Sequence, residues 1–148
     1  METQKIEKSI EINAPKEKVW DVLILDEYNR EWYKSFSEGT HADTDWQVGS
    51  KAIFTDNSKD GIIGRIIKNE PGKALEIEYD GMIMGGVEDY DGDLAKKVKG
   101  GKETYLLTSN NGKTTLSVSC DMDPEYLEMM TEQWGVAMEK IKELSEKH

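Results

Sequence analysis

Between Lys5 and Trp20 the chain passes from an alternating pattern to a helical one within a few residues. Ile6, Ile10 and Ile12 fall on one side of an extended chain and Glu7, Ser9 and Glu11 on the other, with Lys8 interrupting the apolar side once. Pro15 has its φ preset for the first helical position, so Ala14-Pro15 carries the strand straight into a helix bearing Val19 and Trp20. Val22, Leu23 and Ile24 continue that helix, and a second short helix is expected over 26–36, ending before Gly39.

From Gly39 the signals become those of an antiparallel meander. Strands are expected over 40–45, 51–56, 62–69 and 74–84, separated by reversals at 46–50, 57–61 and 70–73. In the long strand Leu75, Ile77 and Tyr79 face one way and Glu76, Glu78 and Asp80 the other; the apolar phase then shifts to Met82 and Met84, which marks a bulge or bend at Gly81. The stretch from Gly85 to Gly101 holds five glycines and many charges and reads as a long loop with one helical turn near 94–98. Asn110-Asn111-Gly112 then joins two strands, 103–109 and 113–122, in a tight hairpin, with Cys120 on the core side of the second.

The last element is a helix of ~20 residues, about 30 Å long. Asp123 is its N-cap, Pro124 its first position, and Leu127, Met130, Trp134, Ala137, Ile141 and Leu144 form one apolar stripe. Gly135 interrupts the helix at a position where a close backbone approach is expected.

The 148 residues suit one domain, 1–148, able to bury roughly 70% of its unfolded surface. A net charge of −11 disfavours nucleic acid and anionic membranes, which are held by clustered Lys and Arg. Lys96, Lys97, Lys99 and Lys102 read as a solvated stretch beside an acidic run. A lone Cys120 with His41 and His148 makes neither a disulfide framework nor a zinc set, and no metal or cofactor is expected. Asp89, Asp91 and Asp93 mimic the start of a calcium loop, but Leu94 stands where the glycine belongs and Gly100 where the bidentate glutamate belongs. Phosphate-binding glycine loops and a nucleophile elbow are absent from the sequence, and His41 reads as a surface residue. With no apolar leader after Met1 and no run of ~20 apolar residues, the expected location is the cytoplasm.

Ile12-Asn13-Ala14-Pro15 with Val19-Trp20, Trp46-Gln47-Val48-Gly49-Ser50, Gly64, Pro71 with Leu75, and Trp134 occur in an order that resembles the START-like (Bet v 1-like) superfamily. The closest likeness is to its branch similar to the C-terminal domain of the activator of Hsp90 ATPase. The acidic 85–101 segment is long for that pattern. The resemblance implies an α+β helix-grip fold: a curved antiparallel sheet wrapped around a long C-terminal helix, with two short helices after strand one.

It also implies a hydrophobic cavity between sheet and helix. Residues available to line one are Trp32, Phe36, Phe54, Tyr79, Met82, Met84, Tyr105, Met130, Trp134 and Met138, together with Tyr33, Met122 and Tyr126. Tyr and Trp bring polar tips into an apolar wall and Met adapts its shape, which suits a planar or irregular ligand; the same residues also suit a filled core. The first functional expectation is therefore a module that binds a hydrophobic or aromatic small molecule. The resemblance supplies two alternatives, a chaperone-interacting protein and a polyketide cyclase or dehydratase. The last needs an ionisable group in the pocket, for which Asp80, Glu78, Arg65, Tyr79 and Tyr105 are nearest, although alternation turns the acidic ones away from Tyr79.

Overall fold

A computed structural model describes residues 4–147; Met1 and His148, which enter the sequence argument, lie outside the described residues. β1 (Gln4–Ile12) leads into α1 (Lys16–Ile24) and α2 (Asp26–Tyr33), followed by β2 (His41–Asp43), β3 (Lys51–Thr55), β4 (Gly61–Glu70) and β5 (Ala74–Met84). β6 (Val87–Asp89) and α3 (Asp93–Val98) precede the hairpin of β7 (Lys102–Asn110) and β8 (Lys113–Met122). A 3-10 turn at Pro124–Tyr126 then opens into α4 (Leu127–Glu146). The strands form one curved antiparallel sheet in the order β1-β8-β7-β5-β4-β3-β2, with β6 on the far part of β5. This is the α+β layout expected, with two short helices after strand one and a long helix last. Among the described residues no helix is long and apolar enough to cross a membrane.

Pro15 stands one position earlier than expected. It is the N-cap of α1, with ψ 156°, and its carbonyl accepts from Lys18 N and Val19 N. A helix end leaves its last carbonyls without partners, and here α2 supplies two of them. Trp32 Nε1 donates to Val22 O at 2.9 Å and Asn29 Nδ2 donates to Leu23 O at 2.8 Å, both in the interior. Leu25, extended at ψ 131°, is the shared joint of the two helices.

In the β7–β8 hairpin Asn110 pairs with Lys113, and Asn111 and Gly112 both take positive φ, 54° and 82°, as a two-residue turn requires. The bulge expected at Gly81 sits one residue earlier. Ile63 pairs with Gly81 but Gly64 with Tyr79, so Asp80 is the extra residue. The slip re-aims the strand end so that Tyr79 and Met82 reach the same cavity.

The expected loop at 85–101 is more ordered than its composition implies. β6 pairs with β5 through Met84 and Val87, and α3 packs against β5 before Gly100 N and Gly101 O bond back to the Tyr79 backbone. The carboxylate of Asp89 accepts from the backbone of Asp91 and Gly92, and Glu88 meets Lys51 at 2.5 Å. The acidic run thus serves turn closure and a cross-strand ion pair.

α4 begins as its sequence indicates, with Asp123 Oδ1 accepting from Glu125 N at 2.9 Å. Trp134, Ala137, Met138 and Ile141 are buried, whereas Leu127, Met130 and Leu144 are partly so. The C-terminal half closes onto β1 and α1, and the N-terminal half is held off the sheet beside α2.

Gly135 does not mark a close backbone approach. A Cβ there would meet only Lys8 Nζ, at 3.7 Å, because Lys8 runs from the inner side of β1 toward this point. Gly64 is the opposite case: a Cβ would lie 2.9 Å from Glu78 O, which is backbone and cannot move aside. Gly135→Ala should therefore raise stability by about 0.5–1 kcal/mol, the difference between Gly and Ala in a helix interior. Gly64→Ala should lower it by about 1–3 kcal/mol through overpacking. Thermal unfolding of both variants checks the pair, and loss of stability in Gly135→Ala would show an approach that the structure lacks.

Candidate functional site

Beneath the raised half of α4 lies a cavity of about 430 Å³. Its walls are built from every layer of the fold: Tyr33 and Phe36 from α2 and the turn after it, Phe54 and Ile62 from β3 and β4, and Tyr79 and Met82 from β5. Cys120 and Met122 come from β8, Leu94 and Val98 from α3, and Met129, Met130 and Trp134 from α4. The lining is overwhelmingly apolar, and the exposed Leu94 and Met129 show that it reaches the surface.

One side is a connected set of rings. Trp134 is 4.9 Å from Phe36 in an edge arrangement, 5.9 Å from Tyr105 and 6.2 Å from Trp32; Tyr33 is 4.3 Å from Trp32 and 6.3 Å from Phe54. Pairs of this kind contribute about 0.5–1.5 kcal/mol each beyond the area they bury. Because the Trp32 indole N–H is fixed on α1, the cluster hangs from the α1–α2 joint.

One polar feature of the wall is Glu103. Alternation along β7 puts it on the inner face with Tyr105 and Leu107. Its Oε1 accepts from the Tyr79 hydroxyl at 2.6 Å and its Oε2 from the Tyr105 hydroxyl at 2.5 Å. Two donors, one on each oxygen, satisfy the ionised carboxylate, which can only accept. Glu103 retains partial accessibility as part of the cavity wall, while protein encloses it elsewhere. Burial pushes its carboxyl above the usual 4.5, against the two tyrosine bonds that pull it down. Burial also raises Tyr79 and Tyr105 well above the ordinary phenol range, with the Glu103 charge adding to both, so both hydroxyls stay donors. Cys120, 3.4 Å from the Tyr79 hydroxyl, is driven up by burial and by Glu103 and is a thiol rather than a nucleophilic thiolate.

Of the ten residues expected to line a cavity, six do so: Phe36, Phe54, Tyr79, Met82, Met130 and Trp134. Trp32 and Tyr105 are buried one layer behind the wall, and Tyr105 acts on the cavity through Glu103. Met138 lies in the half of α4 that has already closed on the sheet. Met84 is 47% exposed, because β5 runs past the core before it turns. Tyr33, Met122 and Tyr126 also reach the cavity.

Glu78, Asp80 and Arg65 do not face it; Arg65 pairs with Glu78 at 3.4 Å and with Asp80 at 3.7 Å in a partly exposed set. Glu103 is the ionisable group sequence reasoning missed. The signal was its spacing of two from Tyr105, which places an acid on an inward strand face. His41 is half-buried, with Nδ1 3.0 Å from Gly39 O. Among the described residues no group of three or more His, Cys, Asp or Glu side chains is placed to hold a metal.

A raised carboxyl pKa has a signed consequence for stability. The folded state holds the Glu103 proton more tightly than the unfolded chain, so the group's contribution is fully present below the usual 4.5 and is lost as pH rises through the folded value. Once ionised, the buried charge opposes folding. Glu103→Gln should therefore gain stability relative to wild type as pH rises from 5 to 7.5, measured as the difference between their melting temperatures; a difference independent of pH would contradict the assignment.

The sequence profile of one family, described as activator of Hsp90 ATPase homolog 1-like protein, matches residues 13–146. Among solved structures, protein MLL2253 from Mesorhizobium loti superposes with a TM-score of 0.75 at 16% identity, over 95% of this chain and 96% of that one. The Aha1 dimer from Colwellia psychrerythraea gives 0.71 at 18% identity, over 97% and 96%. CalU16 from Micromonospora echinospora gives 0.68 at 16% identity, over 96% of this chain and 76% of that one. At such identities the likeness is one of fold. No curated protein matches the sequence significantly. With the match running from the end of β1 through α4, and the START-like layout present, the chain belongs to the activator of Hsp90 ATPase homolog 1-like family of the START-like superfamily.

Proposed function

We propose that this protein binds a small, mostly apolar molecule with a flat ring system in the cavity beneath α4. The observation that carries the reading is the cavity itself. Protein interiors pack to the density of organic crystals and leave few voids larger than a water molecule. A space of about 430 Å³ walled by Phe36, Phe54, Met82, Met130 and Trp134 falls in the size range of ligand pockets, ~300–1,000 Å³. Apolar walls with a few convergent polar groups are the composition such pockets share. The rings supply rigid faces for stacking and the methionines supply adaptable contact, so recognition rests mainly on shape and burial.

N-phenyl-1-naphthylamine, neutral at pH 7 and fluorescent in apolar surroundings, tests this directly. Wild-type protein should give a saturable fluorescence rise with one site per chain. Ligand at about 100 times its Kd should raise stability by about 2.7 kcal/mol. Ile62→Trp, which places an indole in the space, should weaken binding at least tenfold while the protein remains folded. A response that fails to saturate, or that survives Ile62→Trp unchanged, would sink the proposal.

A further inference from the structure

We infer that the molecule held in this cavity carries a protonated amine, or another positively charged nitrogen, which pairs with Glu103. The inference rests on the ligand-binding reading above and adds the charge of the ligand. Glu103 presents a carboxylate on the cavity wall whose two oxygens each accept one tyrosine hydroxyl and keep a further lone pair. Among the described residues no Lys, Arg or His nitrogen lies within 4 Å of it. A carboxylate enclosed by protein without a counter-ion is costly, and a cation arriving with the ligand removes that cost. Tyr79 and Tyr105 hold the carboxylate in place before the ligand enters, so the ordering is already done.

The remaining polar groups of the cavity point the same way. Asp56, Asp60, Asp121 and Asp123 line it against one cation among the described residues, Lys97, whose Nζ is 3.9 Å from Asp123 Oδ2. That oxygen is buried with no hydrogen-bond partner. An excess of carboxylates in one cavity attracts cations and repels fatty acids, phosphates and other anions. Aromatic faces such as that of Trp134, on the same wall, favour an ammonium group as well.

Displacement of N-phenyl-1-naphthylamine by three probes of one shape tests this: 1-naphthylmethylamine, 1-naphthylmethanol and 1-naphthoate. In wild type the amine should bind at least tenfold more tightly than the alcohol, the scale of a hydrogen bond to a charged group, and the carboxylate at least tenfold more weakly. In Glu103→Gln the gap between amine and alcohol should shrink to threefold or less. Should that variant fail to fold, wild type at about 0.5 M salt decides. A pair at Glu103 keeps its gap there, whereas a gap that closes in salt would mean attraction to the more accessible aspartates alone and would overturn the inference. Alcohol and amine binding equally would overturn the charge assignment and leave the cavity reading intact; failure of all three probes and of the dye would remove both.

Discussion

Two buried hydrogen bonds, from Trp32 and Asn29 to the last carbonyls of α1, set the geometry on which the cavity depends. They fix α2 against α1 at a single extended joint, Leu25, and so decide where Tyr33 and Phe36 stand. Phe36, with Tyr33 against it, meets Trp134 and holds the first half of α4 away from the sheet, while Ala137 and Ile141 let the second half settle onto it. One helix cannot follow a strongly curved sheet along its whole length. The aromatic wedge determines which end stays open, and the cavity forms at that end.

The open end is also where the fold accepts an unfavourable term. A carboxylate enclosed by protein is stabilised by two tyrosine donors but not by a positive charge among the described residues. Replacing such a group with an apolar one is often neutral or stabilising in other proteins, so its position on a cavity wall calls for a reason beyond folding. Perturbed carboxyls in clefts are frequent at functional sites for that reason. Here the charge and the apolar walls belong to one cavity.

Much of this architecture was legible because it rests on period. Ile6, Ile10 and Ile12 announced β1, Asn111-Gly112 announced the hairpin, and the three-and-four spacing from Leu127 to Leu144 announced α4. After Met84 the helical turn near 94–98 was legible and is α3, whereas β6 was not, since a three-residue exposed strand has the composition of a loop and is held by its pairing with β5. Met84 and Met82 share an apolar phase, yet only the second is inside, because a strand's phase does not reveal where the core ends. Met138 lies one helical turn past Trp134, beyond the point where α4 has met the sheet. Glu103 escaped for a different reason. Hydrophobic patterning treats an acid as outward-facing, and only the position of Tyr105 two residues on indicates otherwise.

The methionine methyls offer the most direct test of the central claim, that the cavity is open to a ligand and bounded as described. Met82, Met122, Met129 and Met130 line it, Met138 is in the packed core and Met84 is on the surface. Proton–carbon spectra of methyl-labelled protein titrated with a neutral naphthalene should move the first four resonances in a saturable way and leave Met138 and Met84 in place. Shifts spread evenly over all of them, or confined to Met84, would mean that the molecule associates with the outside and that the space under α4 is closed.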